Sequence, residues 1–256
     1  MNTLLITGTD TDVGKTVLTT ALAAYWQTYR SGESFGLMKL IQTGSGDHEL
    51  YNQLFEVNPS WEVTAPLHFQ TPVAPPIAAA QEERPIELGW AWQTLRSAQQ
   101  QRSFVLVEAL GGLGSPVTDE ITVADLAADW RLPVVLVVPV RLGAIAQVVA
   151  NVALARQSGL CLRGVVLNCL QPEAEQQLAN FAPNYLIQSL TNVPVLGTLP
   201  YLAEPTDLAQ WAQVASQLDL EQLLDLSSRM QGSNSTNERD LESFYANFTN
   251  FYYSGS

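Results

Sequence analysis

Short apolar runs alternate along the chain with longer stretches in which apolar side chains recur every three or four positions. The runs at 3–7, 35–39, 104–108, 133–138, 165–168 and 195–200 are rich in aliphatic and β-branched residues and end at Gly, Pro or a polar residue. That is the pattern of strands buried on both faces. Helices are predicted over 14–29, 88–101, 122–130, 144–157 and 172–190, with two more at 207–218 and 220–230. In the first, Val17, Leu18, Ala21, Leu22, Tyr25, Trp26 and Tyr29 make one apolar face, and Ser31-Gly32 ends it. A strand–helix alternation repeated about six times argues an α/β fold: a doubly wound, mostly parallel sheet with helices on both faces.

Two stretches break the alternation. Five prolines from Pro59 to Pro76 keep 61–80 irregular until after Pro76. A long irregular segment in a compact domain is usually functional, here as a wall of a substrate pocket. At 231–256 the composition shifts to Gly, Ser, Asn and Thr and then to Phe and Tyr. Residues 1–230 therefore read as a single domain and 231–256 as a flexible C-terminal tail.

Composition narrows the function classes. Hydrophobic residues make up 46% of the chain and charged residues 14%, enough apolar material for a full core. The net charge of −13 leaves nothing to neutralise phosphates over a broad face, so a nucleic-acid partner is not expected. No apolar run approaches a membrane span and no secretory signal is visible, so no membrane partner and a cytoplasmic location are expected. Only two histidines, His48 and His68, argue against a His-based zinc site. Cys161 and Cys169 lie in or beside an apolar run and read as buried small hydrophobes.

The chemistry gathers at the first strand–helix junction, Gly8-Thr9-Asp10-Thr11-Asp12-Val13-Gly14-Lys15-Thr16. A glycine-bounded loop between a strand and a helix cradles phosphates with its backbone N–H groups, here Asp12 to Val17, at the positive end of the helix dipole. Lys15 reaches the β/γ-phosphates and the Thr16 hydroxyl sits on Mg²⁺. Five residues separate the glycines where the generic pattern has four, so this is a variant P-loop and the fold is of P-loop NTPase type. Lys39 closes the second strand, and ligands of an open α/β sheet bind beyond the carboxyl ends of its strands. Glu108 closes another apolar run, as does the acid near Mg²⁺ on the second nucleotide-binding strand of P-loop proteins. Gly111-Gly112 then lets backbone approach a ligand closely. Asn168 closes a further strand.

These residues together resemble the dethiobiotin synthetase family. The P-loop, with its extra residue and Thr9-Asp10-Thr11, looks like that family's own. Lys39 followed by Ile41-Gln42-Thr43-Gly44 looks like its Lys-Pro-x-x-Ser/Thr-Gly segment, and Asp47 falls where the family has a metal-binding acid. Val105-Leu106-Val107-Glu108 with Gly111-Gly112 looks like its Val-Glu-Gly-Ala-Gly-Gly, and Asn168 resembles its adenine-contacting Asn. The likeness runs over about 3–215. It implies an ATP- and Mg²⁺-dependent cyclo-ligase that forms a carbamate from 7,8-diaminononanoate and CO₂, phosphorylates it and closes a ureido ring. Lys15 and Lys39 are then the catalytic lysines. Thr16, Asp47 and Glu108 hold Mg²⁺, with Gly111 beside the phosphates. Thr43 and Lys39 meet substrate, and Asn168 with Pro200, Tyr201 and Leu202 holds adenine. A homodimer with substrate near the subunit interface is also implied.

Three departures stand out. Leu40 replaces the family's Pro after the catalytic-strand Lys. Ala109 and Leu110 replace Gly and Ala after the metal-binding Glu, and a methyl there can obstruct the approach to phosphate. Ala146 replaces the Asn of the Leu-Gly-x-Ile-Asn segment, a candidate to hold the substrate carboxylate. Lys15, Thr16, Lys39, Asp47 and Glu108 are intact, which favours an active enzyme over a relative that only binds nucleotide. A ParA/MinD-like switch ATPase would carry an additional Lys early in its loop, and residues 9–13 contain none. An amidoligase with a glutaminase domain would need a longer chain.

Overall fold

The computed structural model describes residues 2–55, 58, 60–203 and 206–224. The predicted tail at 231–256 and the end of the last predicted helix lie outside the described residues. The predicted strands form around β1 (Thr3–Gly8), flanked by β6 (Phe104–Gly112) and β7 (Val134–Pro139). With β2 (Phe35–Lys39), β4 (Trp61–Thr64), β8 (Leu162–Asn168) and β9 (Val195–Leu199) they make a seven-stranded parallel sheet in the order β4-β2-β6-β1-β7-β8-β9. The chain leaves β1 for the β6 side and later crosses back to β7, so the winding reverses next to β1. That reversal opens a crevice at the carboxyl ends of the strands.

Residues alternate between the two faces of each strand. Leu5, Val105, Val107, Leu136, Val165 and Leu167 pack with α4 (Leu88–Gln101), α5 (Val123–Asp129), α6 (Ala144–Gln157) and α8 (Asn184–Thr191). The other face is covered by α1 (Lys15–Tyr29), α9 (Leu208–Ala215) and α10 (Leu220–Leu224). Trp26 of α1 stacks on Phe104, while Phe35 touches Trp61, which stacks on Phe55 of α2 (Asp47–Phe55).

α1 departs from the predicted single face. Thr19, Thr20, Ala23 and Ala24 are buried as well, because α9 packs along it, and Tyr29 is exposed. The predicted helix over 172–190 is a 3₁₀ turn (Pro172–Gln177), α7 (Leu178–Phe181) and α8. Ala182, next to Pro183, leaves helical geometry at φ −144°, as a residue before proline tends to. The segment predicted irregular also changes. Trp61–Thr64 is the edge strand β4, and β5 (Leu67–Phe69) pairs in parallel with β3 (Ile41–Thr43) as a separate two-stranded sheet. α3 (Pro75–Gln81) starts on Pro75 rather than after Pro76, since prolines fit a first turn whose N–H groups have no partner. Cys161 is exposed, contrary to expectation, because it precedes the amino end of β8 and lies outside the strand; Cys169 is buried.

Candidate active site

The phosphate loop runs from the end of β1 into α1. Thr9 N–H donates to the Val137 carbonyl (3.1 Å), and Asn168 Nδ2 donates to the Val13 carbonyl (3.0 Å). Gly14 is the N-cap of α1 at φ 95°, and a Cβ there would lie 1.8 Å from Asn168 Nδ2. Only glycine meets both demands. Asn168 is thus buried behind the loop, tying it to β8.

Lys39 and Glu108 are register partners on β2 and β6, so their side chains leave the sheet side by side. Lys39 Nζ lies 2.7 Å from Glu108 Oε1 and 2.5 Å from Asp47 Oδ2. The Thr16 hydroxyl donates to Asp47 Oδ1 (2.9 Å) and reaches Glu108 Oε1 at 3.3 Å. Lys15 Nζ donates to the Asp10 carbonyl (3.0 Å). Glu108 Oε2 faces away from these groups and accepts from Thr19 Oγ1 (2.7 Å) and from the Tyr51 hydroxyl.

Burial and charge act against each other here. Burial pushes the Lys15 ammonium below its ordinary value, although Glu108 pulls it up. Burial also opposes charge on Lys39, but Glu108 and Asp47 beside it win and hold the ammonium above its ordinary value. Burial opposes charge on Asp47 too; Lys39 outweighs it, leaving the carboxyl below its ordinary value. Burial, then Glu108 and Asp47, push the Tyr51 phenol well up, so it stays a proton donor.

These side chains open on a cavity of about 730 Å³. Asp12, Gly14, Lys15, Thr16, Val17, Lys39, Thr43, Asp47, Glu108 and Gly111 all line it. Of the other predicted site residues, Val13 and Asn168 are buried off its lining, and Pro200, Tyr201 and Leu202 follow β9 without reaching it. Pro72, Val73, Ala74 and Pro75 form one wall, from the segment predicted to wall a pocket. Gln42, Ser45 and Ser115 also line it without having been singled out as site residues. The methyl of Ala109 does not enter the cavity: it is buried in the core on the face of β6 opposite Glu108. Leu110 lines the cavity instead, and Ala146 is exposed on α6.

The loop between β3 and α2 is held by Glu49, which accepts from Gly46 N–H (2.8 Å) and Gln42 Nε2 (2.8 Å). Those donors lower its carboxyl from 4.5 to about 2. A depressed acid contributes stability above its unfolded value and loses it as pH falls through the folded value. Glu49→Gln should therefore lower the melting temperature at neutral pH, and its difference from wild type should shrink between pH 4.5 and about 2. Calorimetric melting of both proteins across that window checks this; a constant difference would remove Glu49 as the loop's support.

A protein-family model described as an AAA domain matches residues 2–208. The chain is 62% identical over 226 residues to the ATP-dependent dethiobiotin synthetase BioD of Gloeothece citriformis, covering 88% of this chain and all of that one. The protein of the same name from Crocosphaera subtropica is 58% identical, over 87% of this chain and all of its own length. BioD 1 of Escherichia coli is 34% identical, over 78% of this chain and 90% of its own. Among solved structures, the septum site-determining protein MinD complexed with Mg-ADP from Pyrococcus horikoshii superposes with a TM-score of 0.57. It is 14% identical and covers 91% of this chain and 100% of its own, a likeness of fold.

Proposed function

The chain belongs to the ATP-dependent dethiobiotin synthetase family, and on that premise we propose that its cavity closes the ureido ring of dethiobiotin. The observation that carries the reading is the meeting of Lys15, Lys39, Asp47 and Glu108 on one cavity at the mouth of the phosphate loop. The substrates are 7,8-diaminononanoate, CO₂ and ATP. One amine adds to CO₂ and loses a proton, giving a carbamate. A carbamate oxygen attacks the γ-phosphorus, the bond to the bridging oxygen breaks, and ADP leaves. The second amine adds to the carbonyl carbon of the mixed anhydride, loses its proton and expels phosphate.

Little covalent chemistry is asked of the protein; positioning and charge are. The loop N–H groups and Lys15 hold the β/γ-phosphates. Lys39, between the loop and Thr43, faces the carbamate and the migrating phosphoryl group. Ile41, Val73 and Leu110 offer an apolar wall to the alkyl chain of the diamine. Adenine is assigned to the strip at the ends of β8 and β9, where Asn168 stands in register with Leu199 and Pro200-Tyr201-Leu202 follows.

Among the described residues no three His, Cys, Asp or Glu side chains are placed to hold a metal by themselves. Mg²⁺ does not need that: it takes one or two carboxylates and completes its shell with phosphate oxygens and water. Thr16, Asp47 and Glu108 supply two carboxylates and a hydroxyl that lies within hydrogen-bond reach of both, a fitting set of hard oxygens. When bound there, the ion neutralises charge on the phosphates. We assign the protein to the cytoplasm and to a homodimer. Among the described residues no helix is long and apolar enough to cross a membrane.

Phosphate release with ATP, Mg²⁺ and bicarbonate tests the reading. Release should depend on 7,8-diaminononanoate. Release indifferent to the diamine would favour a switch ATPase, and binding of ATP without release would favour a non-catalytic relative.

A further inference from the structure

Glu108 divides its two oxygens between two environments. Oε1 meets Lys39 and Thr16, both on the cavity. Oε2 meets Thr19 and Tyr51, both fully buried and neither lining the cavity. A carboxylate on a glutamate turns easily about its last torsion, so its rotation has to be set by what it bonds to. Two hydroxyl donors on one oxygen set it. They are not equal: Thr19 Oγ1 has one proton and also stands 2.9 Å from the Lys15 carbonyl, whereas the Tyr51 hydroxyl is aimed at Glu108. Among the described residues Tyr51 is the only buried tyrosine, an expensive group to bury unless its hydroxyl is used.

We propose that Tyr51 and Thr19 are positioning residues for the metal site: their hydroxyls saturate Oε2 of Glu108 and lock its rotation, so that Oε1 is presented to the cation. This rests on the reading of Glu108 as a Mg²⁺ ligand. Partners that orient a metal ligand change metal affinity by about 10–100-fold when lost. Tyr51 sits 57 residues from Glu108 on α2, the helix that also begins with the candidate ligand Asp47. One helix thus supplies one ligand and orients another.

The test is Mn²⁺ binding to the full-chain enzyme with ADP, followed by electron paramagnetic resonance. Tyr51→Phe should raise the Mn²⁺ dissociation constant about tenfold, leaving metal-free ADP affinity unchanged. Thr19→Val should weaken Mn²⁺ less, and Thr19→Ser, which keeps the hydroxyl, should restore it. This pair stands as the test if Tyr51→Phe fails to fold. Wild-type Mn²⁺ affinity in folded Tyr51→Phe and Thr19→Val would overturn the proposal alone, as would Mn²⁺ and metal-free ADP affinity falling in parallel. Glu108→Gln is the control: if it leaves Mn²⁺ affinity unchanged, the ligand reading falls and the proposal with it.

Discussion

Lys15→Gln is expected to abolish turnover, with phosphate release falling about 10³-fold or more. Tenfold in rate is about 1.4 kcal/mol of barrier, so the loss asks about 4 kcal/mol of one group. That is within what a preorganised donor supplies where charge develops away from water. Lys15 meets the condition: it is buried at the loop, 6% exposed, and its nearest partner is the neutral Asp10 carbonyl rather than a carboxylate. Its ammonium is thus free to exchange that carbonyl for a phosphate. Glutamine keeps a donor and most of the length but no charge, and it removes an ion that burial disfavours. The melting temperature should therefore hold while turnover vanishes. Full activity in a folded Lys15→Gln would reject the phosphate-loop assignment.

Lys39→Ala is expected to lower kcat about 10²–10³-fold while leaving ATP affinity near wild type, because Lys39 reaches the cavity from β2 rather than from the loop. Kinetics and direct ATP titration separate the two; a variant that mainly loses ATP affinity would remove Lys39 from the carbamate site. The change should also be felt in the fold. Lys39 bonds Glu108, which is fully buried, and removing one partner of a buried pair costs about 3–5 kcal/mol. A divalent cation held by Asp47 and Glu108 would replace the missing charge. The melting temperature of Lys39→Ala should therefore rise more on adding Mg²⁺ than that of wild type.

The strands that carry the site were legible because a strand buried on both faces needs a continuous apolar run. The polar residues Lys39 and Asn168 that close two of these runs do end β2 and β8 at the crevice, whereas β6 continues four residues past Glu108 to Gly112. The short strands β3, β4 and β5 were not legible. Three or four residues carry no period, and their pairing depends on partners far along the chain: Phe35 with Trp61, Ile41 with Leu67. The turn of Ala109 away from the cavity was hidden for a related reason, since which face a residue takes depends on register.

By itself the sequence determined the loop, the order of the long strands and of most helices, and the identity of the charged residues, because local geometry and burial period are written in neighbouring positions. Only the tertiary structure decided that Lys39 and Asp47 share Glu108's company, that Tyr51 and Thr19 hold its far oxygen, and that Asn168 anchors the loop from behind. The bonds to Glu108 and the bond of Asn168 to Val13 join residues 57 to 155 positions apart that have no local signature of each other. They exist because a parallel sheet brings the ends of non-consecutive strands to one edge, where a buried charge must find its partners.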